Sequence, residues 1–489
     1  MSIGRKAVSG TVWIGAGSIV SRAIVFATGV VLARLLSPEV FGQFAMAIMA
    51  INFLALFQNP GISQELVQRN ERLEEAADTA FTLALLIGVA LAIVAAVLSP
   101  LLSAFYGIGL IGAVTAVLGL RLLINAASIV PGAIVQKRFQ YRYQFLGLVV
   151  SQIGYAAAAI GLGVARCGVW SLVIGHVVMA ALSTALLWRA WGRWPRPRLD
   201  RAIVGEIWGY GKHLAAAGIF IFAYTNLDTL LIGKVRGAEQ LGYYTLAYTL
   251  ATMPVSVVAG IGDYVMFPIY CKLLGDGRDV TGVYFRAYRT VLVGVLPLLA
   301  VLLFTSGDIV QVLYGRVWAP SAPLLRVLLL LAFCQTLSAI GGSLLLALRR
   351  TNLFSWLAGG SVTVVAVAGY PVATRWGASG IALLFSSVLL ANVVVLLLLL
   401  ARCIGTKAER YLGTILPVLV PALAFAAGSA AACRGMAPAH RLLIALPVTY
   451  VLTTTVVLVI VPEFRGDMHR GWQQLWERLV AARDDERGR

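Results

Sequence analysis

The chain has 489 residues, 60% of them hydrophobic and 12% charged, with a mean hydropathy of +0.87. Soluble domains carry about 25% charged residues, so this composition excludes a soluble enzyme and indicates an integral membrane protein. The net charge of +18 does not point to nucleic acid, because no basic run carries a recognition motif.

Arg5 and Lys6 precede an apolar stretch, Val8–Leu36. It is too long for the h-region of a cleaved signal, about 7–15 residues, and reads as a first span. Apolar segments then tile the chain: 8–36, 40–61, 79–102, 109–132, 144–165 and 168–189, then 205–233, 240–268, 287–305, 322–347, 353–373 and 377–401, and finally 412–432 and 442–461. Each approaches or exceeds the roughly 20 residues that a span needs. Ser37-Pro38, Tyr106-Gly107, Trp194-Pro195, Ala319-Pro320 and Trp376-Gly377 punctuate them as turns. The expected fold is all-α, with about 14 transmembrane helices. The expected organisation is an N-lobe (1–190), a basic cytoplasmic linker (191–204), a C-lobe (205–402), two extra spans (403–462) and a tail (463–489). In the tail, Phe464, Met468, Trp472, Leu475, Trp476 and Leu479 recur at helical spacing, which suits an amphipathic helix on the membrane surface.

Placing the N-terminus in the cytoplasm puts roughly two thirds of the 39 bases on cytoplasmic segments, loop after loop. Both termini are therefore expected in the cytoplasm. The five cysteines are scattered, without metal or redox spacing. No nucleophile set or phosphate loop appears, so neither enzyme chemistry, a cofactor nor a metal is expected.

An internal repeat organises the chain. LARLLSPEVFGQFAMA (Leu32–Ala47) and IGKVRGAEQLGYYTLA (Ile232–Ala247) align at an offset of 200, with Glu39 on Glu239, Gly42 on Gly242, Ala47 on Ala247 and Arg34 on Lys234. Each apolar run ends in a base, then a short turn with Glu, then Gly and a new apolar run. This predicts two pseudo-symmetric six-helix lobes, a common transporter design.

Polar groups inside spans mark candidate sites, since a charge at the bilayer centre costs about 2.5–3.5 kcal/mol on insertion scales. Arg22 lies near the middle of the first span, roughly 20 Å from either end at 1.5 Å per residue, too deep for easy snorkelling. It is the primary candidate for binding an anionic group. Arg121 and Lys212 are further candidate bases, and Asn59, before Pro60-Gly61, ends a polar stripe at a helix break. Asp228 and His213 are candidates for ion coupling, with an Asp228–Lys234 ion pair as the bland alternative. His176 reads as structural, and Tyr243 and Tyr244 as membrane-interface residues.

The segments LARLLSPEVFGQFAMA and NPGISQELVQR (Asn59–Arg69) resemble the opening of bacterial polysaccharide flippases. VPGAIVQKRFQYRYQFLG (Val130–Gly147), NLDTLLIG (Asn226–Gly233) and LYGRVWAPSAPLLRVL (Leu313–Leu328) continue that likeness. The family belongs to the multidrug/oligosaccharidyl-lipid/polysaccharide exporter superfamily. The resemblance implies two lobes around a cationic cavity that works by alternating access. It implies an undecaprenyl-pyrophosphate-linked oligosaccharide as cargo, flipped from the cytoplasmic to the periplasmic leaflet of the inner membrane for exopolysaccharide, capsule or O-antigen. Membrane lipids, and a polymerase and export machinery, are the implied partners. Related flippases place arginines of the first helix in the cavity, a role that Arg22 fits by position. A cation-coupled multidrug exporter of the same fold is the alternative. It would favour an acidic cavity, and the first span has no acid.

Overall fold

The computed structural model describes residues 3–69, 71–261, 265–433 and 435–460. The predicted tail helix lies outside them. Among the described residues all regular structure is helical: α1 (Ile3–Leu35), α2 (Pro38–Ala55), α3 (Ile62–Gln68), α4 (Leu73–Tyr106), α5 (Gly109–Lys137), α6 (Tyr141–Val164), α7 (Val169–Trp191), α8 (Arg201–Ile261), α9 (Phe267–Gly275), α10 (Thr281–Leu313), α11 (Ser321–Ala347), α12 (Thr351–Cys403), α13 (Glu409–Ala432) and α14 (Pro438–Ile460). Nine of these helices are long and apolar enough to cross a membrane.

The two longest helices are each broken by a glycine in the left-handed φ range. Gly237 (φ 84°, ψ −179°) breaks α8, and Gly377 (φ 63°, ψ −150°) breaks α12. A Cβ makes such a conformation strained. The breaks fall where the hydropathy pattern separates 205–233 from 240–268 and 353–373 from 377–401. A similar turn precedes α7, where Gly168 (φ 58°, ψ −131°) follows Arg166 and Cys167 as Gly377 follows Arg375 and Trp376. The turn chemistry therefore repeats as well as the helices.

The chain forms two compact units. One comprises Met1–Thr245 with Gly369–Ala378, and the other Leu246–Ala368 with Ser379–Arg489. In the first unit α4 packs along α5, α6 along α7, α1 against α6 and α5 against α7. Small residues make these approaches possible: a Cβ on Gly88 would lie 2.5 Å from Ala126 Cβ, and one on Gly175 would lie 2.9 Å from the Tyr155 ring. Such packing joins helices in a solvent where apolar contact alone provides little drive. A core of Ile62, Leu66, Ala80, Ala84, Val130 and Ile134 anchors α3, α4 and α5. In the second unit α10 is central, packed by α11, α13 and α14. Tyr284, Phe285 and Tyr288 of α10 form an aromatic cluster with Tyr411 of α13, at ring distances of 5.0–6.1 Å.

The two copies of the repeat meet within the first unit. A Cβ on Gly42 would overlap the carbonyl of Ala238, and one on Gly242 would overlap the carbonyl of Pro38. Positions 38 and 238 are equivalent at the offset of 200, as are 42 and 242. The contact is therefore reciprocal, as in an isologous interface between two copies of one surface. Only glycine permits this backbone-to-backbone crossing.

Candidate functional site

Arg22 lies on α1, thirteen residues before its end at Leu35, and is exposed at that depth. Arg121 lies on α5 and is partly buried, with no ion pair among the described residues. His176 lies on α7. The His176 ring is held between Phe44 of α2 (ring centroids 5.0 Å apart) and Tyr155 of α6 (4.9 Å). His176 thus has the structural setting expected for it.

Asn59 has a local role. Its Nδ2 donates to Ser63 Oγ (2.9 Å), and its Oδ1 accepts from the Ser63 backbone N–H (3.1 Å). One orphan donor of the α3 N-terminus is satisfied in this way. The amide thus spends one N–H and one lone pair on Ser63. Its neighbour Gln58 is buried and donates to the Leu122 carbonyl of α5. The helix break around Pro60-Gly61 is real, and its polar side chains tie α2, α3 and α5 together. Lys212 and His213 lie within α8, but their side chains fall outside the described residues.

Asp228 is the deepest acid in the first unit, 3% exposed. Tyr244 Oη donates to its Oδ2 (2.6 Å), and the Thr229 N–H donates to its Oδ1 (2.6 Å). The expected alternative, an ion pair with Lys234, does not form. Lys234 Nζ instead donates to the Phe105 carbonyl and sits 4.5 Å above the Phe105 ring. Tyr244 is the partner that sequence reading missed. Read as an interface residue, it is 1% exposed and serves the carboxylate across the Gly237 break. Tyr243 is likewise buried and donates to Glu239 Oε1 (2.9 Å).

Two further arginine assemblies emerge. Arg236 donates to the Ala373 carbonyl (Nε, 3.0 Å) and the Thr374 carbonyl (Nη2, 2.6 Å), just before the Gly377 break. On the basic linker, Arg193 Nη2 donates to Asp78 Oδ2 (2.9 Å) and the Arg196 N–H to Asp78 Oδ1 (3.1 Å). Arg198 Nη1 pairs with Glu75 (3.3 Å), and the Arg198 N–H reaches Thr82 Oγ1 (3.2 Å). The linker is thus strapped to the acidic N-terminal turns of α4, a favourable place for carboxylates on helix-dipole grounds. Among the described residues no group of three or more His, Cys, Asp or Glu could hold a metal ion.

A helical fold with broken long helices, bases within apolar helices and two buried acids, Asp78 and Asp228, defines a multi-pass membrane protein. The polysaccharide biosynthesis protein family matches residues 31–323, and the chain belongs to it. Relatives include the teichuronic acid biosynthesis protein TuaB of Bacillus subtilis (strain 168), 22% identical over 86% of this chain and 88% of that protein. The lipopolysaccharide biosynthesis protein WzxC of Escherichia coli (strain K12) is 24% identical over 72% of each chain. Among solved structures, the lipid II flippase MurJ in an inward closed conformation matches with a TM-score of 0.73 at 15% identity, covering 93% of this chain and 98% of that one. An inward-facing multidrug resistance MATE family transporter of the MOP superfamily gives 0.62 at 13% identity, covering 79% and 94%. The fold is thus that of flippases and exporters.

Proposed function

We propose that the protein flips undecaprenyl-pyrophosphate-linked oligosaccharide from the cytoplasmic to the periplasmic leaflet of a bacterial inner membrane, for exopolysaccharide, capsule or O-antigen synthesis. In this reading the chain crosses the membrane about fourteen times, with both termini in the cytoplasm. It exposes its binding groups to each face in turn and hands its cargo to a polymerase and export machinery. The observation that carries the reading is Arg22, an arginine exposed at mid-helix depth on α1. A pyrophosphate cannot cross about 30 Å of hydrocarbon unaided. A guanidinium offers it bidentate, charge-assisted hydrogen bonds and stays charged at any depth.

Arg121 on α5 supplies a second base, and Lys212 on α8 a third. Asp228 and His213 are assigned to ion coupling. A carboxylate buried without a base is costly unless neutralised, so Asp228, held by Tyr244 and Thr229, suits a group that takes up and releases a cation or proton during the cycle. The names of TuaB and WzxC, which concern teichuronic acid and lipopolysaccharide biosynthesis, support the cargo class.

The test combines gene deletion with Arg22→Ala. Deletion is expected to accumulate lipid-linked oligosaccharide on the inner leaflet and to abolish surface polymer, with drug susceptibility unchanged. Arg22→Ala, expressed at the normal level, is expected to fail to restore export. Full restoration would overturn the role of Arg22, and drug hypersensitivity of the deletion strain with intact polymer would favour a drug exporter.

A further inference from the structure

The second unit contains a groove that the transport reading does not use. α11 and α13 both pack on α10, and between them lies a cavity of about 270 Å³. Its floor is Leu296, Leu299, Ala300 and Leu303 of α10, with Leu329, Leu330 and Phe333 of α11 on one side and Leu419 and Leu423 of α13 on the other. The tenth lining residue is Arg326, and none of the ten is acidic.

The groove has a direction. Arg326 lies in the second turn of α11, which begins at Ser321, and Phe333 lies seven residues deeper, about 10 Å at 1.5 Å per residue. One end is therefore cationic and the rest is hydrocarbon, over a length comparable with the roughly 15 Å of one leaflet. Arg326 is also held in place. Its Nε donates to Ser306 Oγ (2.7 Å), a hydroxyl on α10 that is 0% exposed. One donor fixes the guanidinium, and its Nη groups remain for a ligand at the exposed mouth. A base that merely snorkelled to the surface would need neither the buried hydroxyl nor the leucine-lined channel beneath it.

We propose that this groove holds one anionic phospholipid, its phosphate on Arg326 and an acyl chain along the leucines of α10, α11 and α13. The net charge of the headgroup follows from the lining: a zwitterionic lipid would bring its own cation to a site that has no acid to receive it. The assignment stands apart from the cargo reading. Only the leaflet, the periplasmic one, rests on the proposed orientation.

The test is native mass spectrometry of the full-length protein, delipidated in detergent and titrated with dioleoylphosphatidylglycerol or dioleoylphosphatidylcholine. The wild type is expected to retain one phosphatidylglycerol at least fivefold better than phosphatidylcholine. Arg326→Gln is expected to bring the two lipids level, and Arg326→Lys to keep most of the preference. Ala300→Phe, which fills the groove floor, is expected to remove retention of both. Should Ala300→Phe fail to fold, Arg326→Gln at the exposed mouth still decides. Equal retention of the two lipids by the wild type, or an unchanged preference in Arg326→Gln, would overturn the proposal. Polysaccharide export, measured separately, reports on the flippase reading alone.

Discussion

The two copies of the repeat, Leu32–Ala47 and Ile232–Ala247, differ in chemistry and agree in construction. Both open a helix after a tight turn, and both use a glycine to let the other copy's backbone pass. Both place a glutamate four residues before a donor that it accepts from: Glu39 from Gln43 (3.1 Å) and Glu239 from Tyr243 (2.9 Å). One difference falls at positions 44 and 244, where the ring is kept and one oxygen is added. Phe44 stacks on His176, whereas Tyr244 donates to Asp228. A duplicated scaffold can thus hold its geometry through backbone contacts while a single hydroxyl gives one copy a polar centre.

The comparison breaks most sharply at the glycines. Gly42→Val and Gly242→Val should each destabilise the protein by about 3 kcal/mol or more, because the obstructing atoms are backbone and cannot turn aside. Thermal melting in detergent should show equal losses for the two, and a loss at one position alone would refute the reciprocal crossing. Tyr244→Phe, which makes copy two resemble copy one, should cost about 1–3 kcal/mol by leaving the buried carboxylate short of a donor. In combination with Asp228→Asn the losses should be non-additive by about 0.5–3 kcal/mol, a coupling that the same melts would measure. The turns provide a third contrast. Gly237→Ala forces a side chain into a glycine conformation and should cost about 1–3 kcal/mol. Ser37→Ala at the equivalent site, where the backbone is extended (φ −78°, ψ 159°), should change the melting temperature little. The smallest effects belong to the glutamates. Glu39→Ala and Glu239→Ala should each fall within about 0.5 kcal/mol, the size of a hydrogen-bonded pair one helical turn apart.

Hydropathy made the helices legible, since a span announces itself by what it lacks. The breaks at Gly237 and Gly377 were legible too, because each follows a base and interrupts an apolar run. The partners of the polar residues were not. Asp228 and Lys234 are six residues apart on one helix and of opposite charge, which invites an ion pair. The fold instead turns Lys234 to Phe105 and brings Tyr244 back across the break. Tyrosine at a span end looks like an interface anchor from either side of the membrane, and only packing distinguishes the two. Asn59 likewise shows a polar residue at a helix break, but not that its amide is used by Ser63. The offset of 200 was visible in the sequence. That the two copies lie against each other, residue for equivalent residue, follows from the chain's path and not from its pattern.

The first unit is discontinuous: it ends at Thr245 and is completed by Gly369–Ala378. Arg236 donates to carbonyls of residues that emerge from the ribosome long after it does. At about 5–20 residues per second, the wait is on the order of ten seconds. During that interval the turn around Gly237 has no Ala373 or Thr374 to hold it. Biogenesis therefore has a time-ordered step, in which the guanidinium at the Gly237 turn captures a helix end made more than a hundred residues later.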